Sequence, residues 1–132
     1  MGKKKLLLVE DDQDDKMLFS EFLAERNDFS LLYCCDNGFE LIQYLDKIPS
    51  VMEFPDLIIM DQNMPKMSGS QTLQSLKSVQ RYSTIPVAIY TTYPDKTLIA
   101  DSLLFGAIAV LAKPISYHGY QEMMDELGKL IA

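Results

Sequence analysis

Five short apolar runs alternate with longer amphipathic stretches along this chain, and that alternation limits the folds open to it. The runs are nearly continuous, which is typical of strands buried on both faces of a parallel sheet. The stretches between them place apolar residues on one helical face, which predicts helices that pack on the sheet. We therefore expect an α/β fold, a (βα)5 doubly wound parallel sheet with helices on both faces. The predicted strands are Lys5–Val9, Phe29–Cys34, Asp56–Met60, Pro86–Tyr90 and Ile108–Ala112.

The length and composition fit one such domain. A chain of 132 residues with 48% hydrophobic residues predicts a single domain over residues 1–132, without an output domain. The net charge of −7 disfavours a nucleic-acid partner, because affinity for the phosphate backbone needs clustered Lys and Arg. The apolar runs are far shorter than the ~18 residues of a membrane span. The adjacent Cys34 and Cys35 suit a reduced, cytoplasmic protein better than a disulfide framework.

Polar residues stand where four of the predicted strands end. Glu10 and Asp11 follow the first strand, Asp61 the third, Thr91 the fourth and Lys113 the fifth. Singly, each has an ordinary explanation, such as the capping of a helix by acidic residues. Ligands bind open α/β sheets at the carboxyl ends of the strands, however, so these side chains are predicted to share one crevice.

The charges of this predicted crevice suggest its chemistry. Two carboxylates ~5 Å apart repel by about 3 kcal/mol at an effective dielectric constant of 20, so the acidic residues need a counterion. Mg²⁺ suits oxygen ligands and keeps water positions for an incoming phosphate. Asp61 is then a candidate nucleophile that forms an aspartyl phosphate. The metal held by Glu10 and Asp11, the Lys113 ammonium and the Thr91 hydroxyl would each meet one phosphoryl oxygen.

Several segments match a known family in order and in spacing. They are Leu7–Asp12, Asp56–Pro65 with Ser68-Gly69, Pro86–Thr91, Gly106-Ala107 and Lys113-Pro114. Together they resemble the receiver domain of two-component response regulators, near the stand-alone chemotaxis type. The resemblance implies a flavodoxin-like sheet in strand order 2-1-3-4-5 and a cis peptide bond between Lys113 and Pro114.

The resemblance also implies a role for each site residue. Glu10 and Asp11 would hold Mg²⁺, Glu10 through a water molecule, and Asp61 would be the phosphoacceptor and a further ligand. The backbone carbonyl of Asn63 would complete the protein ligands of the metal. Thr91 would be the switch hydroxyl and Lys113 the lysine that the family pattern contains.

A protein of this kind would be a phosphoacceptor signalling protein rather than an enzyme, although it would catalyse its own phosphorylation and dephosphorylation at Asp61. A histidine kinase or a phosphotransfer protein would be the donor, because the single His118 lies at a loop-to-helix junction and not on a bundle helix. A downstream protein would bind through helix four, strand five and helix five. The receiver would be a monomer or a weak homodimer.

Three features depart from the family pattern or extend it. Val110 stands where an aromatic residue is common, which puts a ring-flip readout in doubt. Tyr93, two residues after the switch Thr, is expected to slow self-dephosphorylation. The long connection over residues 80–85 is either an extra contact surface or an ordinary loop, and we expect the loop.

Three other functions fit these residues less well. An aspartate-nucleophile phosphatase of the haloacid dehalogenase class needs a second Asp two residues after the nucleophile, where this chain has Asn63. A flavodoxin-type FMN carrier needs a hydroxyl- and Gly-rich loop after strand one, where this chain is acidic. A receiver-like interaction module that acts without phosphorylation usually lacks part of the acidic pair, the acceptor or the lysine, and all are present here.

Overall fold

The computed structural model describes residues 2–132, in which five parallel strands form one sheet with five flanking α-helices. The strands are β1 Lys4–Val9, β2 Phe29–Cys35, β3 Leu57–Asp61, β4 Val87–Thr91 and β5 Ala109–Ala112. The helices are α1 Gln13–Ala24, α2 Gly38–Asp46, α3 Gly69–Ser78, α4 Lys96–Leu104 and α5 Tyr117–Leu130. The strand order β2-β1-β3-β4-β5 confirms the predicted flavodoxin-like, doubly wound α/β fold. No helix within these residues is both long enough and apolar enough to cross a membrane.

The sheet separates two hydrophobic cores, because its central strands bury side chains on both faces. Leu6–Val9 of β1 and Leu57–Met60 of β3 are fully buried. Phe19 of α1 packs in the core on one face, with α5. Leu41 of α2 and Leu73 of α3 pack in the core on the other face. Each fully buried Leu or Phe contributes ~1.5–3 kcal/mol, so the two cores together stabilise the sheet that lies between them.

Each of these five helices begins at a residue that caps its first turn. The side chains of the caps accept a hydrogen bond from a backbone N–H three residues later, a contact that contributes ~1 kcal/mol per helix. The caps are Asp12, Asn37, Ser68, Asp95 and Ser116. Because α1 begins directly after the acidic residues that follow β1, its cap also helps to fix their backbone.

Helix α4 does not bury an apolar face as the sequence predicts for the helices. Leu98, Ile99 and Phe105 have the spacing of an apolar helical face that packs on a sheet, but they are only half-buried, and the fully buried residue of α4 is Ser102. The helix contacts α3 and the edge strand β5, so less of the sheet lies beneath it than beneath the central helices.

The connection between α3 and β4 is more ordered than the loop that the sequence predicts. It contains a 3-10 helix over Gln80–Tyr82. The buried Tyr82 donates its hydroxyl to Asp46 at the end of α2. The Arg81 guanidinium lies 4.7 Å from the centre of the Phe54 ring. The connection therefore packs against the end of α2 and the segment before β3.

Candidate functional site

The predicted site residues lie at the carboxyl edge of the sheet. Glu10 and Asp11 follow β1, Asp61 ends β3, Thr91 ends β4 and Lys113 follows β5. Because β3 lies between β1 and β4, Asp61 occupies the middle of this edge. The registers of β3 with β1 and β4 bring the ends of the three strands level.

Three carboxylates face one another at this edge. One oxygen from each of Glu10, Asp11 and Asp61 lies within 4.8 Å of the other two. Glu10 is fully buried, Asp61 is nearly so, and Asp11 is exposed. At ~5 Å and an effective dielectric constant of 20, each pair of charges repels by about 3 kcal/mol. A set of oxygen donors suits a hard divalent cation such as Mg²⁺, so the residues present fit that ion.

Glu10 is held by three donors although its side chain has no access to solvent. The Tyr90 hydroxyl donates to Oε1 over 2.6 Å, and the backbone N–H of Asp12 donates to Oε2 over 3.2 Å. The Lys113 ammonium lies 3.0 Å from Oε1. Burial raises the pKa of Glu10, and the hydrogen bonds from Tyr90 and Lys113 oppose that rise. Burial and the neighbouring Glu10 raise the pKa of Tyr90, so the phenol stays protonated and remains a donor.

Lys113 contacts three carboxylates at once. Its Nζ lies 2.9 Å from Asp15 Oδ2, 3.0 Å from Glu10 Oε1 and 3.3 Å from Asp61 Oδ2. Burial lowers the pKa of this ammonium, but the hydrogen bonds with Asp15 and Glu10 and the charges of Glu10 and Asp61 outweigh it, so the pKa is raised overall. Lys113 is therefore a fixed positive charge beside Asp61.

The peptide bond between Lys113 and Pro114 is trans, and residues 2–132 contain no cis peptide bond. The predicted cis bond is therefore wrong. Trans is the isomer that X–Pro bonds favour by ~0.5–1 kcal/mol. Lys113 reaches the three carboxylates from this trans backbone.

The backbone around Asp61 depends on the loop that follows β3 and on the start of α3. The backbone N–H of Asn63 donates to Asp61 Oδ1 over 3.2 Å. The N–H of Gly69 donates to the carbonyl of Gln62 over 3.0 Å. A Cβ at Gly69 would lie 2.5 Å from the carbonyl oxygen of Asp61, so this close approach requires glycine.

Thr91 is buried at the end of β4, directly after the residue that pairs with Asp61. Its carbonyl accepts a hydrogen bond from the backbone N–H of Lys113 over 2.9 Å, which joins the ends of β4 and β5. Tyr93 is 82% exposed beyond this strand end. Val110 is half-buried and packs against the core that contains α2 and α3.

Sequence reasoning does not identify two of the side chains at this site. In the apolar pattern of the strands Tyr90 is an ordinary buried residue. The pattern therefore does not indicate that its hydroxyl binds Glu10. Asp15 resembles an ordinary acidic residue in the first turn of a helix. No local signal links Asp15 with Lys113, because 98 residues separate the two.

The fold and the site together define a doubly wound α/β domain in which three carboxylates and a lysine lie together at the carboxyl ends of the strands. The pattern of the response regulator receiver domain family matches residues 6–125. The chain therefore belongs to that family, which serves two-component systems. Receiver domains are signalling domains that accept phosphoryl groups from histidine kinases, and they generally bind Mg²⁺ through an acidic cluster.

Individual relatives agree with this assignment. The chain is 27% identical over 128 residues to a probable C4-dicarboxylate response regulator, DctR, of Priestia megaterium, covering 96% of this chain and 53% of that protein. It is thus similar to about half of that relative's length. The phosphorylated cyanobacterial phytochrome response regulator RcpA is 26% identical, with a TM-score of 0.80 over 96% of this chain and 92% of that chain. The Mn²⁺-bound form of response regulator Rcp1 is also 26% identical, with a TM-score of 0.78 and the same coverage.

Proposed function

We propose that this receiver accepts a phosphoryl group on Asp61 from a phosphohistidine of a histidine kinase or a phosphotransfer protein, and that phosphorylation changes its binding to a partner. The observation that carries this proposal is the setting of Asp61. Its nearly buried carboxylate lies at the middle of the carboxyl edge, in a cluster with Glu10 and Asp11 and 3.3 Å from Lys113. Preorganised charges of this kind stabilise a developing phosphoryl charge.

The transfer needs positioning more than covalent assistance. An oxygen of Asp61 attacks the phosphorus, and a P–O bond forms as the P–N bond to the donor histidine breaks. The leaving imidazole keeps the bonding electrons and takes a proton from solvent. Lys113 neutralises one phosphoryl oxygen, and the Thr91 hydroxyl donates a hydrogen bond to another. Attack of water on the phosphorus later returns the Asp61 carboxylate and inorganic phosphate.

The proposed metal is Mg²⁺, held by Glu10, Asp11, Asp61 and the backbone carbonyl of Asn63. When bound, the ion offsets the repulsion among the carboxylates and withdraws charge from the phosphoryl group. Glu10 is buried and already accepts a hydrogen bond from Tyr90, so we propose that it holds the ion through a water molecule. The Mn²⁺-bound form of the similar Rcp1 supports a divalent cation here.

The proposed readout surface consists of α4, β5 and α5. Phosphorylation adds about −1.5 to −2 charge beside Lys113 and Thr91, and the contacts of these two residues can shift the domain toward an active form. Leu103 and Leu104 of α4 are exposed on this surface, which favours a protein partner. We propose a cytoplasmic monomer or weak homodimer that binds a downstream protein and, with its net charge of −7, no nucleic acid.

One experiment tests the proposed function. The protein is incubated with Mg²⁺ and acetyl phosphate, and the mass of the intact chain is measured. We expect a gain of one phosphoryl group that requires Mg²⁺ and is absent in Asp61→Asn. The matched control is Asp101→Asn, which makes the same chemical change at an exposed position of α4 and should keep the gain.

The other outcomes contradict the proposal in different ways. A folded protein that gains no mass would instead be a receiver-like interaction module that acts without phosphorylation. Continuous release of phosphate from simple phosphomonoesters would indicate an Mg²⁺-dependent aspartate-nucleophile phosphatase. Asn63 argues against that phosphatase, because an amide cannot act as the general acid or base that it needs.

A further inference from the structure

The ammonium of Lys113 lies beside three carboxylate oxygens in this structure, all within 3.3 Å of Nζ. The shortest contact, 2.9 Å, is the hydrogen bond to Asp15 Oδ2 rather than the contact with Asp61. Phosphorylation converts the Asp61 carboxylate to an acyl phosphate, whose oxygens form charge-assisted hydrogen bonds shorter than the present 3.3 Å contact. The ammonium must therefore turn toward Asp61 and loosen its contact with Asp15 or with Glu10.

The two other partners, Glu10 and Asp15, differ in how easily they can leave. The side chain of Glu10 is 0% exposed, whereas that of Asp15 is 32% exposed. A buried carboxylate that loses its cation has no water to replace it, which is strongly unfavourable. Asp15 can exchange Lys113 for water, and partly exposed ion pairs contribute little to stability. Asp15 is therefore the partner that can be released at the smallest free-energy cost.

We propose that Asp15 is the displaceable partner of Lys113, which it holds while Asp61 is unphosphorylated and loses when a phosphoryl oxygen takes its place. This inference rests on the proposed function and adds a regulatory element to that site. Asp15 competes with the phosphoryl group for Lys113 and also repels it, so it lowers the occupancy of the phosphorylated state. Asp15 is a positioning residue, because it acts through Lys113.

The exchange also links the phosphorylation site to α1. Asp15 lies in the first turn of α1, where its backbone N–H donates to the capping side chain of Asp12 over 2.9 Å. In the unphosphorylated domain, Lys113 connects this turn to the end of β5. Release of Asp15 breaks that connection, so α1 as well as the proposed readout surface responds to phosphorylation.

The test measures the affinity of the full chain for beryllofluoride, a mimic of the phosphoryl group, by calorimetry at saturating Mg²⁺. We expect Asp15→Asn to bind beryllofluoride roughly two- to fivefold more tightly than the unmodified chain, the size of effect that a partly exposed ion pair produces. Asp15→Glu restores the competing charge and should bind as the unmodified chain does.

The matched control is Asp14→Asn. Asp14 is exposed in the same helical turn, and its removal changes the net charge by the same amount, but it is not among the three carboxylates that Lys113 contacts. We expect its affinity for beryllofluoride to stay within about twofold of the unmodified chain, the range left to a purely electrostatic surface effect.

The outcomes separate this inference from the function on which it rests. If the unmodified chain binds no beryllofluoride, the proposed function and this inference both fail. If the unmodified chain binds it and Asp15→Asn binds no more tightly than Asp14→Asn, only the inference is overturned. Weaker binding by Asp15→Asn would overturn it as well, since Asp15 would then hold Lys113 in the position that binding needs.

Discussion

Replacing Tyr90 with Phe tests how the site stabilises the buried charge of Glu10. The change removes one oxygen and keeps the ring, so the edge contact with Phe19 at 6.0 Å and the contact with the Lys113 ammonium at 5.1 Å remain. The loss is a hydrogen bond of 2.6 Å to Glu10 Oε1, between two almost completely buried side chains. Glu10 then keeps only the Lys113 ammonium and the Asp12 N–H as donors.

The expected effect follows from the burial of this contact. A hydrogen bond to a charged group contributes ~1.5–3 kcal/mol, and Lys113 still contacts the same oxygen, so we expect Tyr90→Phe to lower the free energy of unfolding by about 2 kcal/mol. The unfolding entropy of 132 residues is about 0.28 kcal/mol/K. The melting temperature should therefore fall by about 7 °C.

Urea and thermal unfolding, followed by circular dichroism without added metal, measure this loss. Tyr82→Phe is the matched control, because Tyr82 is also buried and also donates to a carboxylate, but its acceptor Asp46 is exposed. Water can replace that donor, so the control should lose about 1 kcal/mol or less. A loss in Tyr90→Phe no larger than that of the control would refute the reasoning from burial.

Two further substitutions test the surroundings of Asp61. Gly69→Ala should lower the free energy of unfolding by ~1–3 kcal/mol, because the new Cβ would lie 2.5 Å from the Asp61 carbonyl oxygen and the backbone must move. Its control is Gly128→Ala, where a Cβ meets only ring atoms of Phe29 at 3.8 Å or more and the unfolding free energy should not fall. Tyr93→Ala should shorten the lifetime of the phosphorylated protein, measured by the decay of the mass gain, because water then reaches the phosphoryl group more readily. Tyr93→Phe keeps the ring and should keep the lifetime, whereas an unchanged or longer lifetime in Tyr93→Ala contradicts the role of Tyr93.

The strands could be predicted well from the sequence, because burial on both faces leaves a direct signal. The predicted Pro86–Tyr90 run differs from the observed β4, Val87–Thr91, by one residue at each end. The order of the strands could not be derived from this pattern. It came from the family resemblance, since apolar runs record burial and not which strands are neighbours.

Helix α4 shows where the periodicity argument fails. Apolar residues at helical spacing usually face a sheet. Beside the edge strand β5 the helix covers less of the sheet, so Leu98 and Ile99 stay half-buried and the small Ser102 fits the contact instead.

The candidate site could be located from the sequence, but its contacts could not. Strand ends converge in any parallel sheet, so placing Asp61 near Glu10 needed only the topology. The partners of Lys113 depend on where a long side chain ends in space. Asp15 holds the shortest contact with it from a helix that begins a hundred residues earlier in the chain.

The most direct test of the central claim is to locate the phosphoryl group. The protein is phosphorylated with acetyl phosphate and Mg²⁺, reduced with borohydride, which converts an aspartyl phosphate to the alcohol, and then digested for mass spectrometry. We expect the reduced side chain at residue 61 and at no other acidic residue. Reduction at Asp11 or Asp15, or a phosphoryl group that survives reduction on His118 or on a hydroxyl, would contradict the assignment of Asp61 as the acceptor.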